Sequence, residues 1–513
     1  MNTIGFNNFR KFTEFPAINL GDITLLVGAN NSGKSTLVKA LLLMRDFLTQ
    51  KIYGKQNIFE TLTPDFRFDS NYIHIGSFKR AFCNKAEENQ DSISFTTGIC
   101  NFSFEVEVKG DRSKDSSLPF VSKLSIEDTK RGVKLVFDYA TRLMSATFQL
   151  SEVGKAKNIQ IAELKHRLEE LSNLDVSDKS LEEIVKVKDE QNLIDAKLRA
   201  LGNSEDDGDL TITFNMTMTL NVVGGLLIPE LIRQFYHYAS TGTTGDKRTI
   251  EYKKEESDKN ILQGKSLLIN EMAAELESLL SVEQIEYIYA HSANQQVLFA
   301  IKDSNDFLSK TIHEFKIARI SEGDEEYRFV QEWMEKFEIG VSFNIETISG
   351  EAYQVSITDI DNDTVQLADK GMGSIQVMIL LLRLATLIRR YKNAANPVLV
   401  LIEEPEQNLH PSAQSLLADL LYEVQKEYGC RFIVETHSEY LVRRSQVIVA
   451  TCYGSKELLD NNPFITYYMP RKGLPYSMSY KENGRFEEKF DVGFFDEAGK
   501  SNLELMRKER GMS

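Results

Sequence analysis

The residues with the clearest chemistry lie near the N-terminus, in the segment Gly28–Thr36, which reads Gly-Ala-Asn-Asn-Ser-Gly-Lys-Ser-Thr. Glycines allow backbone N–H groups to close around phosphate oxygens, and a helix that begins here adds positive potential. Lys34 would reach the β- and γ-phosphates of a nucleotide, and the Ser35 hydroxyl would bind Mg²⁺. The residues expected to bind the nucleotide are Asn30, Asn31, Ser32, Gly33, Lys34, Ser35 and Thr36.

The elements that must position this loop can be read on either side of it. The apolar run Ile23–Val27 predicts a buried strand before the loop. Apolar residues that share one face of a helix follow it: Leu37, Ala40, Leu41, Met44, Phe47 and Leu48. Strand, glycine loop and helix form the context in which the pattern GxxxxGK[ST] is a phosphate-binding loop, or P-loop. This context disfavours the alternative of a helix that merely follows a glycine turn.

Two adjacent carboxylates, Glu403 and Glu404, follow the apolar run Val398–Ile402. A strand that is apolar at every position is typical of the centre of a parallel sheet. Carboxylates at the end of a buried strand carry a desolvation cost unless a metal or a water uses them. We interpret them as a Walker B pair, in which Glu403 would hold Mg²⁺ directly or through water and Glu404 would polarise the attacking water. A charged strand cap is the alternative, and the P-loop disfavours it because it requires such a partner.

A histidine follows the next predicted strand, in the sequence Thr436-His437-Ser438 after Arg431–Glu435. If this strand ends level with the P-loop, His437 could contact the γ-phosphate of a nucleotide. A single histidine is more often structural, and spacing alone leaves both interpretations open.

A glycine–serine turn in the segment Asp369–Gln376 precedes a long apolar helix. The backbone N–H groups of a helix N-terminus attract anions, so Gly373 and Ser374 could form a second phosphate contact. An ordinary N-cap at Ser374 explains the same residues equally well.

Composition narrows the class of protein. The chain has 513 residues, 42% of them hydrophobic, which is enough to build two or three domains or lobes. A net charge of −16 argues against a surface that binds nucleic acid everywhere, although a local basic groove stays open. The four cysteines form no CxxC pair, which indicates a reducing cytosol and excludes a zinc hook of the usual spacing.

Neither a signal peptide nor a membrane span is expected. The N-terminus lacks a basic stretch followed by an apolar core. The most apolar helix, Val377–Ile388, contains Arg383 and is shorter than the ~20 residues that a span needs. We therefore expect a soluble, cytoplasmic protein that does not bind membranes.

Apolar residues at heptad spacing lie between Glu152 and Leu201, on either side of a polar break at Asn173–Asp178. The two runs are Ile161, Leu164, Leu168 and Leu171, then Ile184, Val187, Gln191, Ile194, Leu198 and Leu201. This pattern predicts an antiparallel helical hairpin, a short coiled coil. An ordinary pair of packed helices is the alternative, because each run is short.

These motifs together resemble the ATP-binding-cassette (ABC) type ATPase heads of the SMC and OLD (overcoming-lysogenization-defect) group. The resemblance rests on Gly28–Thr36, Gly371–Gln376, Leu401–His410 and Thr436–Ser438. The form Glu-Glu-Pro-Glu-Gln-Asn-Leu-His-Pro is closer to the OLD-like branch than to transporters, whose first acidic residue is usually Asp. The implied fold class is α/β: an ABC-type P-loop ATPase head with a β-rich lobe and an inserted antiparallel helical hairpin.

The resemblance also implies how ATP and Mg²⁺ are used. Two heads dimerise head to tail, or form a higher oligomer, and Gly373 and Ser374 of one subunit then cap the γ-phosphate bound to the other. Here the turn reads Gly-Met-Gly-Ser-Ile-Gln and not the LSGGQ of transporters, so the atoms that would touch phosphate stay open. Three residues are implied to act in catalysis: Glu404, Lys34 and His437, the last as a γ-phosphate sensor. Arg10, in the sequence Asn-Phe-Arg, is implied to approach the nucleotide.

On this basis the chain divides into five expected parts. Residues 1–151 form an N-terminal ATPase lobe with the P-loop, 152–208 the hairpin, and 209–340 the rest of that lobe with a helical region. Residues 341–450 form a C-terminal ATPase lobe with the turn, the Walker B pair and the histidine, and 451–513 a small α+β domain.

The motifs that are missing from the sequence shape the expected function. A TOPRIM nuclease domain, which OLD proteins carry after the ATPase, would need a longer tail, and the acidic run Asp359–Asp363 reads as a turn. The layout is similar to anti-phage systems such as Septu and PARIS, in which an OLD-like ATPase controls a separate effector. We expect an ATPase whose head engagement controls a separately encoded nuclease or toxin. The alternative is an SMC-like clamp that binds DNA in repair or chromosome maintenance.

Overall fold

The structure is a computed structural model of the chain. It describes residues 2–53, 65–70, 72–87, 89–114, 118–141, 143–148, 164–169, 171–172, 181–201, 210–215, 232, 269–276, 285–289, 297–301, 306–392, 398–491, 494–496, 500–502 and 504–506. The chain forms two compact units: unit 1 comprises residues 1–4, 18–42 and 282–513, and unit 2 comprises residues 5–17 and 43–281. The five-part division expected from the sequence stays a prediction.

The described strands, in chain order, are β1 (Thr3–Phe9), β2 (Phe12–Asn19), β3 (Ile23–Gly28), β4 (Ser92–Ile99), β5 (Phe102–Lys109), β6 (Phe120–Asp128), β7 (Val133–Asp138), β8 (Leu143–Phe148), β9 (Leu210–Asn215), β10 (Ile285–Ile288), β11 (Phe299–Ala300), β12 (Ser342–Ile348), β13 (Ala352–Thr358), β14 (Thr364–Gln366), β15 (Leu399–Glu403), β16 (Arg431–Thr436), β17 (Phe464–Met469) and β18 (Tyr476–Met478). The helices are α1 (Lys34–Tyr53), α2 (Phe78–Ala81), α3 (Leu181–Leu201), α4 (Phe307–Ile317), α5 (Glu325–Lys336), α6 (Met372–Tyr391), α7 (Pro411–Tyr428), α8 (Glu439–Cys452) and α9 (Lys456–Leu459). Residues 164–169, 171–172 and 269–276 are also helical.

Unit 1 is built on a six-stranded sheet in the order β10-β15-β16-β3-β17-β18. The strands β10 to β17 in this order run parallel, and β18 is antiparallel to β17. All six residues of β3 are buried, as the apolar run Ile23–Val27 predicts for a strand covered on both faces. Because parallel strands end at the same edge, the carboxyl ends of β3, β15 and β16 meet there.

The core of unit 1 is centred on α6, which is buried along most of its length. Among the described residues, α6 is long and apolar enough to cross a membrane by length and composition, and 78% of its apolar window is buried. Its charged residue Arg383 is only 4% exposed. The guanidinium group donates hydrogen bonds to Glu286 and Glu314, so the charge that interrupts the apolar pattern is paired inside the protein.

A smaller antiparallel sheet in unit 1 joins β11, β13 and β12, with β14 paired to β13. In this sheet β12 and β13 form an antiparallel hairpin, in which Ser342 pairs with Thr358 and Ile348 with Ala352.

An eight-stranded sheet, in the order β2-β1-β4-β5-β6-β7-β8-β9, dominates unit 2. The strand β4 alternates buried and partly buried residues along its whole length, as expected for an antiparallel sheet with one face covered. The first strand, β1, is internal, because β2 folds back beside it and takes the edge.

The predicted hairpin lies partly within the described residues. Its second arm is α3. Of the first arm, residues 164–169 and 171–172 are described and helical, whereas Ile161 and the break at 173–178 lie outside the described residues. Nε of Arg167 lies 3.1 Å from Oε1 of Glu190, which places the two helical segments side by side. The coiled-coil character of the hairpin stays a prediction.

Candidate functional site

The P-loop follows β3 and ends where α1 begins at Lys34. Gly28 lies so close to β17 that a Cβ here would be 2.4 Å from the carbonyl oxygen of Met469, so a larger residue would push the strands apart. Gly33 has a φ of 108°, a conformation that side chains strongly disfavour. The turn closes with a hydrogen bond from Ser32 N–H to the Ala29 carbonyl oxygen at 3.1 Å. Both glycines of the motif are therefore required by the backbone.

The side chain of Lys34 is folded into this loop and is 3% exposed. Its ammonium group donates hydrogen bonds to the carbonyl oxygens of Gly28 at 2.9 Å and Ala29 at 3.3 Å. It also lies 3.0 Å from Nε2 of His437 and 3.9 Å from Oε1 of Glu435. The P-loop lysine is thus in direct contact with the end of β16.

Glu435 occupies the position next to the P-loop helix. The Ser35 hydroxyl donates a hydrogen bond to Glu435 Oε1 at 2.9 Å. Burial and the negative charge of Glu403 raise the pKa of Glu435 to about 7, although Lys34 and Ser35 act in the opposite direction. Sequence reasoning did not identify this residue. The signal was present, because a carboxylate closes the otherwise apolar run after Arg431 and directly precedes Thr436.

Glu403, the expected Mg²⁺ ligand, is paired in register with Glu435 on the neighbouring strand. Its carboxylate interacts by a hydrogen bond with the hydroxyl of Tyr287 on β10. Burial, followed by the charge of Glu403, raises the pKa of that hydroxyl. Tyr287 thus anchors Glu403 at the strand end.

Glu404 begins the loop after β15 with a φ of 45°, in the left-handed region. Such a conformation costs about 1–3 kcal/mol in a residue other than glycine and is typical of functional sites. Its N–H donates to the Glu435 carbonyl oxygen at 2.7 Å, and its carboxylate accepts a hydrogen bond from the amide of Gln407. Oε1 of Glu404 lies 3.7 Å from Nε2 of His437. The structure therefore brings the expected water-polarising carboxylate beside the expected sensor.

A hydrogen bond from its backbone N–H fixes the position of His437. Its N–H donates to Oε1 of the buried Glu406 at 2.5 Å. Burial lowers the pKa of the imidazole, and the positive charge of Lys34 lowers it further, while Glu404 acts in the opposite direction. The ring is therefore neutral at pH 7, and Nε2 can accept a hydrogen bond from the Lys34 ammonium group.

The turn at the start of α6 packs against the loop after the Walker B pair. A Cβ on Gly373 would lie 2.5 Å from the carbonyl oxygen of Asn408, so only glycine allows this approach. The N-cap of α6 is Gly371, and Ser374 lies within the first helical turn. The alternative interpretation of Ser374 as an N-cap is therefore wrong, because the helix begins earlier. The contact of Gly373 and Ser374 with phosphate stays a prediction.

The remaining expected binding residues differ in their exposure. Asn30 and Asn31 are exposed, and Asn31 has a φ of 61°, whereas Ser32 and Thr36 are buried. Arg10 belongs to unit 2, where its N–H donates to the carbonyl oxygen of Ala81 at 2.7 Å. Its approach to a nucleotide stays a prediction.

The donors at this edge fit a divalent cation. Glu404, Glu435 and His437 offer ligand atoms that lie within 4.8 Å of one another. Glu435 is 4% exposed, and its Oε2 has no hydrogen-bond partner among the described residues. Because an unpaired buried carboxylate oxygen is costly, and because Mg²⁺ prefers oxygen ligands, the site suits Mg²⁺.

Comparison with solved structures gives loose superpositions. The SMC head domain with an extended coiled coil bound to the C-terminal domain of ScpA from Pyrococcus furiosus matches with a TM-score of 0.32 and 12% identity, over 99% of this chain and 99% of that chain. The SMC head domain from Thermotoga maritima matches with a TM-score of 0.32 and 11% identity, over 93% and 98% of the two chains. No curated protein matches the chain significantly.

The fold assignment rests on the parallel sheet with its P-loop and on a family match. A family model described as "AAA ATPase domain" matches residues 1–442, most of the chain. The expected α/β P-loop ATPase fold, with several sheets, is confirmed. The chain belongs to the AAA_15 family of AAA ATPase domains.

Proposed function

We propose that the chain binds ATP with Mg²⁺ and hydrolyses it in the cytoplasm, and that ATP-dependent engagement of two heads controls a separately encoded nuclease or toxin. One observation carries the ATPase part. Lys34, Glu404, Glu435 and His437 come from three remote segments and meet at the carboxyl edge of one parallel sheet. In an ATPase family, such a meeting of lysine, carboxylates and a neutral histidine at a P-loop supports phosphate hydrolysis.

Each group has a separate task in this proposal. Lys34 leaves the loop carbonyl oxygens and binds the β- and γ-phosphates, where its charge stabilises the transition state. Glu404 orients the attacking water, and His437 contacts the γ-phosphate from the end of β16. Ser35 and Glu403 would hold Mg²⁺ directly or through water, and a cation bound there would supply positive charge for the phosphate oxygens.

The control of an effector is supported by the sequence resemblance to OLD-like ATPases and by the contact at Gly373. This glycine touches Asn408, in the loop that begins at Glu404. If Gly373 and Ser374 bind the phosphate held by a second copy, their position is linked to the water-polarising carboxylate of their own chain. Head-to-tail engagement and hydrolysis would then be coupled, which suits a switch in anti-phage defence.

The ATPase part is tested by measuring phosphate release from ATP and Mg²⁺. Lys34→Ala and Glu404→Gln should each lower turnover by about a hundredfold or more, because each removes a group that acts on the transition state. Lys472→Ala, in an exposed loop, is the matched control and should hydrolyse ATP as wild type does. Hydrolysis at the wild-type rate by both site variants would refute the site.

Head engagement is tested by light scattering with size-exclusion chromatography. Glu404→Gln should retain ATP and form a dimer or larger oligomer only when ATP and Mg²⁺ are present. An oligomeric state that is the same with and without ATP would refute ATP-dependent engagement of the heads.

The defence role is tested in cells that carry the gene together with its neighbouring genes. Wild type, but not Lys34→Ala, should limit phage replication. Equal plaque counts for the two would refute the defence role.

The SMC-like clamp makes a different prediction. It requires duplex DNA binding that strengthens with ATP and weakens steeply with salt, because phosphate contacts release counterions. A titration of labelled duplex DNA at several salt concentrations separates the two functions. Tight, ATP-dependent binding of duplex DNA would contradict the effector proposal and favour the SMC-like clamp.

A further inference from the structure

We propose that Glu435 is a further divalent-cation ligand of this site, beside Ser35 and Glu403, and that the ammonium group of Lys34 acts as its stand-in cation until a nucleotide binds. The inference rests on the proposal that the P-loop binds ATP, and it deepens that proposal by assigning a cation-binding role to Glu435.

The first support is the state of the Glu435 carboxylate. One oxygen accepts the Ser35 hydroxyl at 2.9 Å. The other oxygen, Oε2, is buried and has no hydrogen-bond partner among the described residues, and the whole side chain is only 4% exposed. Burying a carboxylate oxygen without a partner is unfavourable, and a cation removes this penalty.

The second support is the set of donors around it. Two carboxylates and one imidazole offer ligand atoms within 4.8 Å of one another: Glu404, Glu435 and His437. A neutral imidazole with carboxylates suits Mn²⁺ and other first-row divalent ions as well as Mg²⁺.

The third support is the position of Lys34. Its ammonium group lies 3.0 Å from Nε2 of His437 and 3.9 Å from Oε1 of Glu435, so it contacts two of the three groups. A P-loop lysine moves to the phosphates when a nucleotide binds. Glu435 would then lose its positive partner, and a divalent cation that arrives with the nucleotide would replace it. One cation is exchanged for another.

The test is Mn²⁺ binding to the full-length chain without nucleotide, measured by electron paramagnetic resonance of free Mn²⁺. Glu435→Gln should lower the affinity by about tenfold or more, since even outer partners of metal ligands contribute that much. Glu427→Gln, on the exposed side of α7, is the matched control and should bind as wild type does. Wild-type affinity in Glu435→Gln would overturn the proposal.

A separate experiment tests the role of Lys34 as a stand-in cation. Lys34→Met removes the competing charge, so the affinity for Mn²⁺ without nucleotide should rise severalfold; an unchanged or lower affinity would overturn that role.

If Glu435→Gln unfolds at a lower temperature than wild type, Glu435→Asp is measured instead. It keeps the carboxylate and should bind Mn²⁺ better than Glu435→Gln.

A nucleotide measurement separates this inference from the proposed function. Binding of a fluorescent, non-hydrolysable ATP analogue in EDTA reports the P-loop without a cation. If wild type binds the analogue and Glu435→Gln binds Mn²⁺ normally, only the role of Glu435 fails. If wild type does not bind the analogue with or without Mg²⁺, the ATP site itself fails.

Discussion

Nζ of Lys34 lies 3.0 Å from Nε2 of His437, although the two residues are 403 positions apart in the chain. This contact joins the start of α1 to the end of β16, and both groups are expected to face the γ-phosphate. The lysine cannot hold the loop carbonyl oxygens, the imidazole and a phosphate at once. Nucleotide binding must therefore rearrange this contact, and the histidine is placed to respond.

Replacing His437 should separate ATP binding from ATP hydrolysis. We expect His437→Ala to lower kcat by about a hundredfold, because a polar group that acts on the transition state is lost. The dissociation constant for a non-hydrolysable ATP analogue should change by much less, since Lys34 and the loop backbone remain. Phosphate release and fluorescence titration measure the two quantities.

The control for this variant is His74→Ala, an exposed histidine of unit 2. It should leave both quantities unchanged. A turnover of His437→Ala equal to wild type would show that the histidine is only structural.

Glu406 should act through the backbone of His437. Its carboxylate accepts the His437 N–H, and burial raises the pKa of Glu406. Glu406→Gln keeps an acceptor of similar shape, so it should retain most of the turnover. Glu406→Ala leaves the N–H unpaired, which should cost about 1–3 kcal/mol of stability and lower kcat. Thermal unfolding measures the stability of the two variants, and phosphate release measures their turnover. Equal stability and equal turnover of Glu406→Gln and Glu406→Ala would contradict the role of Glu406.

The close approach at Gly373 gives a steric prediction. Gly373→Ala places a Cβ 2.5 Å from the Asn408 carbonyl oxygen, which should destabilise unit 1 by about 1–3 kcal/mol. Gly371→Ala is the control, because a Cβ there has no atom within 4 Å. Melting temperatures measure the difference, and turnover should fall with the Gly373 variant because the loop that carries Glu404 is displaced. Equal melting temperatures would show that the loop gives way freely.

Much of this fold could be predicted from local patterns. The strand Leu399–Glu403, which is apolar up to its last residue, and the P-loop strand both lie where their apolar runs indicated. The edge of the sheet on which Glu403 and His437 lie also followed, because parallel strands end together. Pairing between remote segments could not be predicted, because no local pattern reports that β1 lies between β2 and β4.

Glu435 shows the same limit at the level of one side chain. Its hydrogen bond from Ser35 depends on the register of β16 beside β3, which no local pattern reports. Arg383 is a second case, since its partners Glu286 and Glu314 come from β10 and α4. The sequence showed a charge inside an apolar helix, but no local pattern named its acidic partners.

The buried pairs of Arg383 predict how unit 1 responds to acid. Burial alone would raise the pKa of Glu314, but the charges of Arg383 and Arg390 outweigh it and hold the pKa below its usual 4.5. A lowered pKa means that the stabilisation is complete above pH 4.5 and is lost as the pH falls through the lower, folded value. We expect the melting temperature of wild type to fall over this range.

Glu314→Gln removes the titrating group and checks the source of that acid response. It should lower stability at pH 7 by up to about 3 kcal/mol, because Arg383 loses one of its buried partners. Its melting temperature should then depend less on pH below 4.5 than that of wild type. An unchanged slope would assign the acid response to other carboxylates.

The position of β3 between β16 and β17 has a consequence for how the protein is made. The ribosome delivers β3 among the first residues and its two neighbours near the end. Residues 43–281 of unit 2 emerge as one continuous stretch and can fold meanwhile. The apolar strand Ile23–Gly28 must therefore stay without its two neighbours until they are made, and unpaired apolar strands of this kind favour aggregation during folding. A chain that stopped before residue 430 would carry the P-loop sequence without β16, and therefore without Glu435 and His437 beside Lys34.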